Sequence, residues 1–331
     1  MKAAVLAFSV MIGIAGAAVS APAGAAPETM RRVGFLLFGN EQTSVHLRAA
    51  FIGGLKELGY TEGQNVTYVY GFAGKDAGAF GAKARELAQS KVDVIVTASS
   101  VATNAARSYA PGIPIVLAAI GDAVGSHYVN SLAEPGANIT GISIFSPLLN
   151  GKRLEFTKEA LPDITRVAIL QDSNNPANSL MAQDIGPTAQ TLGLTIRTFQ
   201  VRKPDEFDNV FAAMAEWRAQ AVVVFAEAMF NSNRDQLVAS AMKQKLPLGC
   251  PYRDMAAAGC LFSYGVDLLA NFHRAAFYVD KILRGVRPAD LPVENPTRFE
   301  MVINMKTARD LGLSIPLATA LRADERIDPV N

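Results

Sequence analysis

The sequence predicts an α/β protein built from two similar doubly wound lobes, and three observations point to this. The first is the stretch 91–122, KVDVIVTASSVATNAARSYAPGIPIVLAAIGD. Its residues 92–98, rich in apolar and β-branched side chains, feed an Ala-rich helical segment that opens at Ser99, Ser100, Thr103 and Asn104 and stops at Pro111 and Gly112. A second apolar run, 113–120, ends in Gly121 and Asp122 and completes a strand, helix, strand unit, whose strands are parallel and buried on both faces. The second observation is repetition. RVGFLLF at 32–38 and RVAILQD at 166–172 each lead to a helix closed by Leu-Gly, and Val33 to Gly59 spans 26 residues, as does Val167 to Gly193. The third is size, since 331 residues exceed what a single core usually holds.

Taken in order, residues 45–58 carry apolar side chains at helical spacing and stop at Gly59, a common helix-ending residue. Residues 65–70 alternate as a strand, and 80–90 form a helix. The second half repeats the order, with a strand at 195–201, a helix at 206–219 and a strand at 221–227. Residues 138–147 read as a last strand of the first lobe running into a crossing. Beyond two further apolar runs, 246–250 and 260–264, come a helix at 267–284, a strand at 297–304 and a short helix at 305–311. The first lobe is expected at 31–146 plus 266–292, and the second at 147–265 plus 293–331.

The termini and composition exclude several classes. Residues 1–25 hold one cation, Lys2, then small and apolar residues up to Ala23, Gly24 and Ala25, the pattern of a secretory signal peptide cleaved after Ala25. A membrane anchor is the competing reading, but a spanning helix needs about 20 strongly apolar residues. The chain has 31 Lys plus Arg and 30 Asp plus Glu, so loss of Lys2 leaves 30 of each. A neutral chain lacks the basic excess of nucleic-acid binders, and none is expected as a partner. Export permits a disulfide between Cys250 and Cys260. They end one apolar run and begin the next, which in a parallel sheet places them at opposite edges, so no bridge is expected.

Ligands of open α/β sheets bind beyond the carboxyl ends of the strands, and two such edges facing each other form a cleft. The candidates there are Gly39, Asn40, Ser99, Ser100 and Asp122 from the first lobe, and Asn174, Asn175, Glu227, Phe230, Asp254 and Tyr264 from the second. Each has a plainer role beside the functional one. Ser99 or Ser100 caps its helix or, with the free amides there, holds a carboxylate. Asp122 caps a turn or receives a ligand amine; Asn174 and Asn175 form a turn or reach the ligand; Phe230 and Tyr264 fill the core or sandwich a flat ligand. Enzymatic constellations are scarce. His46, His127 and His273 have no metal-ligand spacing, GFAGKD at 71–76 is no P-loop, and no GxSxG occurs, so neither a catalytic role nor a cofactor or metal is expected.

The segments LKELGYTEGQNVTYVYGFA (55–73), KVDVIVTASSVATNAA (91–106), IPIVLAAIGDAVGSHYVNSLAEPGANITGIS (113–143) and YVDKILRGVRPADLPVENPTRFEMVINMKTARDLGL (278–313) closely resemble the substrate-binding proteins of ABC transporters, among them tryptophan binders. The resemblance implies a type I periplasmic-binding-protein fold: two Rossmann-like lobes, a multi-strand hinge crossed three times, and a ligand trapped by closure. It also implies a monomeric periplasmic protein that carries a small molecule, an amino acid or related carboxylate or aromatic compound, to an inner-membrane permease. An exported sensor subunit presenting ligand to a membrane receptor is the alternative, and an enzyme on this scaffold the third reading.

Overall fold

The computed structural model describes residues 30–144 and 146–328; the leader expected at 1–25 lies outside the described residues. The first sheet is wholly parallel. It contains β1 (Arg31–Leu37), β2 (Val66–Phe72), β3 (Val94–Thr97), β4 (Ile115–Ile120) and β5 (Ile139–Ser143), ordered β2-β1-β3-β4-β5. Helices α1 (Val45–Glu57), α2 (Phe80–Gln89) and α3 (Ser100–Tyr109) connect them. All residues of β3, β4 and β5 are buried, as the continuous apolar runs require of strands covered on both faces. Gly141 in β5 is needed for its neighbour: at φ 127°, a Cβ there would lie 2.3 Å from the carbonyl oxygen of Leu117 in β4.

Helix α4 (Ser146–Ala160) leads into the second sheet. This contains β6 (Arg166–Asp172), β7 (Thr195–Val201), β8 (Ala221–Val224), β9 (Leu248–Cys250) and β10 (Phe262–Val266), with α5 (Asn178–Thr191), α6 (Phe207–Glu216), α7 (Ala228–Ser232), α8 (Arg234–Lys243) and α9 (Arg253–Ala258) between them. The order β7-β6-β8-β9-β10 repeats that of the first sheet strand for strand, the topological form of the repetition seen in the sequence. After α10 (Leu268–Leu283), β11 (Phe299–Asn304) adds antiparallel to β10, and β12 (Glu325–Ile327) follows α11 (Met305–Asp310) and α12 (Leu317–Leu321) at the edge.

The chain passes between the sheets at 143–146, 266–268 and 294–299. Helix α10, capped by Asp267 accepting from the Ala270 amide at 3.0 Å, leaves β10 and packs on α1 and β4 of the first sheet. Glu294 then bridges to Ile142 beside β5 before the chain returns to form β11. Several strand ends differ from the sequence reading, and two of the differences move candidate side chains. β8 stops at Val224 rather than 227, and β10 runs Phe262–Val266 rather than 260–264.

The second shift bears on the cysteines. Cys250 and Cys260 are bridged, with Cα atoms 6.2 Å apart, contrary to the expectation of opposite edges. β9 has only three residues, and the six-residue α9 returns the chain through Gly259 (φ 126°) to a point two residues before β10, so little sheet length separates the thiols. The bridge closes a loop with a sequence separation of 10. Such a loop is worth about 3 kcal/mol through the unfolded state. Reduction, or Cys250→Ser with Cys260→Ser, is therefore expected to lower the melting temperature by several degrees in a thermal scan; an unchanged transition contradicts the staple.

Candidate functional site

The carboxyl ends of the two sheets face one another across two adjoining spaces. The first is lined by Ala98, Ser99, Ser100, Gly121, Asp122 and Ile144 from the first lobe, and by Asn175, Ala177, Glu227 and Tyr252 from the second. The other is mostly apolar, with Leu37, Phe38, Leu47, Leu268 and Phe272 on its walls beside Thr43, Ser44 and Asn231. Ala98, Ala119, Ala228 and Tyr252 line both, so the spaces adjoin.

The polar end rests on α3. Ser99 is extended (φ −156°, ψ 154°) and its hydroxyl accepts from the Ala102 amide at 3.2 Å, so it is the cap its position suggested. The amides of Ser100 and Val101 have no intrahelical acceptor and carry the positive end of the helix dipole. This start is firmly held. Thr103 donates to the Ser99 carbonyl at 2.8 Å and also pairs with Thr97, while the Tyr128 hydroxyl donates to the Ser100 carbonyl at 3.1 Å. Asp122 sits at the cleft and caps a turn at once, its Oδ1 accepting from the amides of Val124 (3.1 Å) and Gly125 (2.8 Å).

The second lobe contributes an acidic group opposite. Glu227 is buried and accepts from Asn175 Nδ2 at 2.6 Å, while Asn175 Oδ1 accepts from the Ala177 amide. Burial, then the charge of Asp172, raise the Glu227 carboxyl well above the usual range, which favours its protonated form. Burial likewise pushes Asp172 up to about 6, against hydrogen bonds from Asn174. Tyr252 feels the charges of both Glu227 and a fully buried cation, Arg153 on α4, and burial raises its phenol. Arg153 donates to the Tyr264 carbonyl at 2.9 Å and to Asn150; burial lowers its guanidinium to about 10.

Several expected residues stand elsewhere. Phe230 is wholly buried and packs on Phe207, because β8 ends early and α7 turns residue 230 inward. Tyr264 falls in mid-strand, its ring against Phe156 and Phe299. Asn40 is exposed and accepts from the Thr43 amide at 3.0 Å in its own turn, and Asn174 is tied to Asp172 and to the Arg202 carbonyl. Gly39 and Asp254 mark where the lobes touch. A Cβ on Gly39 would lie 3.3 Å from that of Ser232, and Asp254 pairs with His46 of α1 at 2.6 Å. The apolar wall escaped the sequence reading, although Leu268 and Phe272, four apart at the start of the returning helix, share a face that carried the signal. Among the described residues no group of three or more acidic, His or Cys side chains is disposed to hold a metal.

A model of the ABC transporter substrate binding protein family matches residues 35–327. The chain belongs to this family. A tyrosine-binding protein of Clostridioides difficile is 21% identical over 266 residues, which cover 80% of this chain and 76% of that one. A Streptococcus pneumoniae domain solved with L-Trp has a TM-score of 0.82 at 25% identity, covering 90% of this chain and all of that one. A leucine-binding protein of Thermotoga maritima, 12% identical, has a TM-score of 0.60 over 83% of this chain and 95% of its own. The fold is that of type I periplasmic binding proteins, as expected.

The raised acids of this binding protein fix a pH dependence. Folded Asp172 keeps its proton where the unfolded chain has lost it, so unfolding releases a proton and rising pH favours the unfolded state between roughly pH 4 and 6. Asp172→Asn removes that slope. Relative to the parent, the variant is expected to gain on the order of 3 kcal/mol of stability across the window in urea titrations; a constant difference from pH 4 to 7 contradicts the shift.

Proposed function

We propose that the protein captures a hydrophobic amino acid in the periplasm and delivers it to an inner-membrane ABC permease. The carrying observation is that a polar space lined by Ser99, Ser100, Asp122, Asn175 and Glu227 adjoins an apolar one walled by Leu37, Phe38, Leu47, Leu268 and Phe272. That combination suits a zwitterion with an apolar side chain and is less suited to a sugar, which needs polar partners on every side. The α3 amides and Ser100 take the carboxylate. Asp122 and Glu227 take the ammonium, which supplies the countercharge that Glu227 lacks in its buried setting. Kinship with proteins described as binding tyrosine and L-Trp supports the amino-acid class. Export is supported by the leader pattern at 1–25 and by the Cys250–Cys260 bridge, which suits an oxidising compartment. No enzymatic role is assigned.

Glu227 gives up its proton as the ammonium arrives, so affinity rises with pH until the free carboxyl is ionised. Titration calorimetry with L-tyrosine, L-tryptophan and L-leucine is expected to find a ligand whose binding enthalpy differs between phosphate and Tris, reporting proton release. Glu227→Gln should weaken that ligand by about 2–5 kcal/mol, the range for removing one member of a buried charged pair. A folded variant that binds as tightly as the parent would falsify the assignment of Glu227.

A further inference from the structure

The apolar space is lined by a residue with a buried polar atom that the fold leaves unpaired. Asn231 lies on α7, is 7% exposed, and its side-chain oxygen is buried without a hydrogen-bond partner. Of the hydroxyls lining the space, those of Thr43 and Ser44 both donate to the Asn40 carbonyl, at 3.3 and 2.8 Å, and those of Ser232 and Tyr252 stand on the same wall. Asn231's backbone is engaged as well, its amide donating to the Glu227 carbonyl and its carbonyl accepting from Arg234. A buried acceptor with no partner is costly and uncommon in a folded protein. Its wall is otherwise built for hydrocarbon, so the exception singles out the chemistry of what enters.

Position supplies the second argument. Glu227 immediately precedes α7 and lines the polar space, and Asn231 follows four residues on, within the helix, and lines the apolar one. A ligand whose ammonium meets Glu227 therefore presents to Asn231 the far end of a long side chain. Serine or threonine is too short, whereas a phenol or indole spans the gap.

We propose that Asn231 reads the tip of the ligand: the apolar space takes an aromatic side chain ending in an N–H or O–H, which donates to Asn231 Oδ1. This rests on the amino-acid reading above and narrows it. Leucine and phenylalanine enter the same space but leave the amide oxygen unpaired, and are discriminated against for that reason.

Calorimetry on two matched pairs tests it: L-tyrosine against L-phenylalanine, and L-tryptophan against 3-benzothienyl-L-alanine, which replaces the indole N–H by sulfur. The parent is expected to prefer the donor in at least one pair by about tenfold or more. In Asn231→Leu, of similar size and without an acceptor, that ratio should fall towards one. Ratios near one for both pairs in the parent overturn the proposal while leaving the amino-acid reading intact, and so does a preference that survives in Asn231→Leu. Failure of all four compounds to bind overturns the proposal, and failure of L-leucine beside them overturns the amino-acid reading as well. Because the parent's ratios alone can refute it, the proposal stays testable even if the variant does not fold.

Discussion

A buried acid with no cation beside it is the constraint on which the cleft depends. Glu227 accepts one hydrogen bond from Asn175 and stands near a second raised acid, Asp172, so the second lobe presents a carboxyl whose charge is poorly supported where the first presents unsatisfied amides. Neither surface is settled alone. Isolating an ionised carboxylate from water costs several kcal/mol, and the first amides of α3 need an acceptor from outside the helix. A zwitterion laid between them satisfies both at once, which gives closure of the lobes a thermodynamic reason.

The surroundings hold these groups in place. Thr97, Thr103 and Tyr128 brace the start of α3 from the first lobe. In the second, the Cys250–Cys260 bridge closes the loop that carries Tyr252 into both spaces and Asp254 to its partner. The lobes meet outside the cleft through His46 and Asp254, through Lys75 and Gln236 at 3.2 Å, and where Gly39 approaches Ser232. The first two contacts are partly or fully exposed and individually weak.

Periodicity and repetition carried the architecture. The apolar runs and the shared Leu-Gly stops mark strands and helices because burial on both faces and helix termination are local demands on sequence. Ser99, Ser100, Asp122, Asn175 and Glu227 were legible for the same reason: each stands where a predictable strand gives way to a loop. What failed depended on where strands stop. An end three residues early turned Phe230 into core, and a start two residues late put Tyr264 in mid-sheet. The disulfide was missed because the length of β9 follows from how α9 packs, which no local pattern records. Asn231 lay inside a helix of five residues, too short for a period to show.

The most direct test is a crystal structure of the protein grown with a bound amino acid. The account predicts the ligand carboxylate within hydrogen-bonding distance of the Ser100 amide and hydroxyl, the ammonium on Glu227, and the side chain among Leu37, Phe38 and Phe272. A ligand lying with its carboxylate at Glu227, or outside the junction of the two spaces, contradicts it.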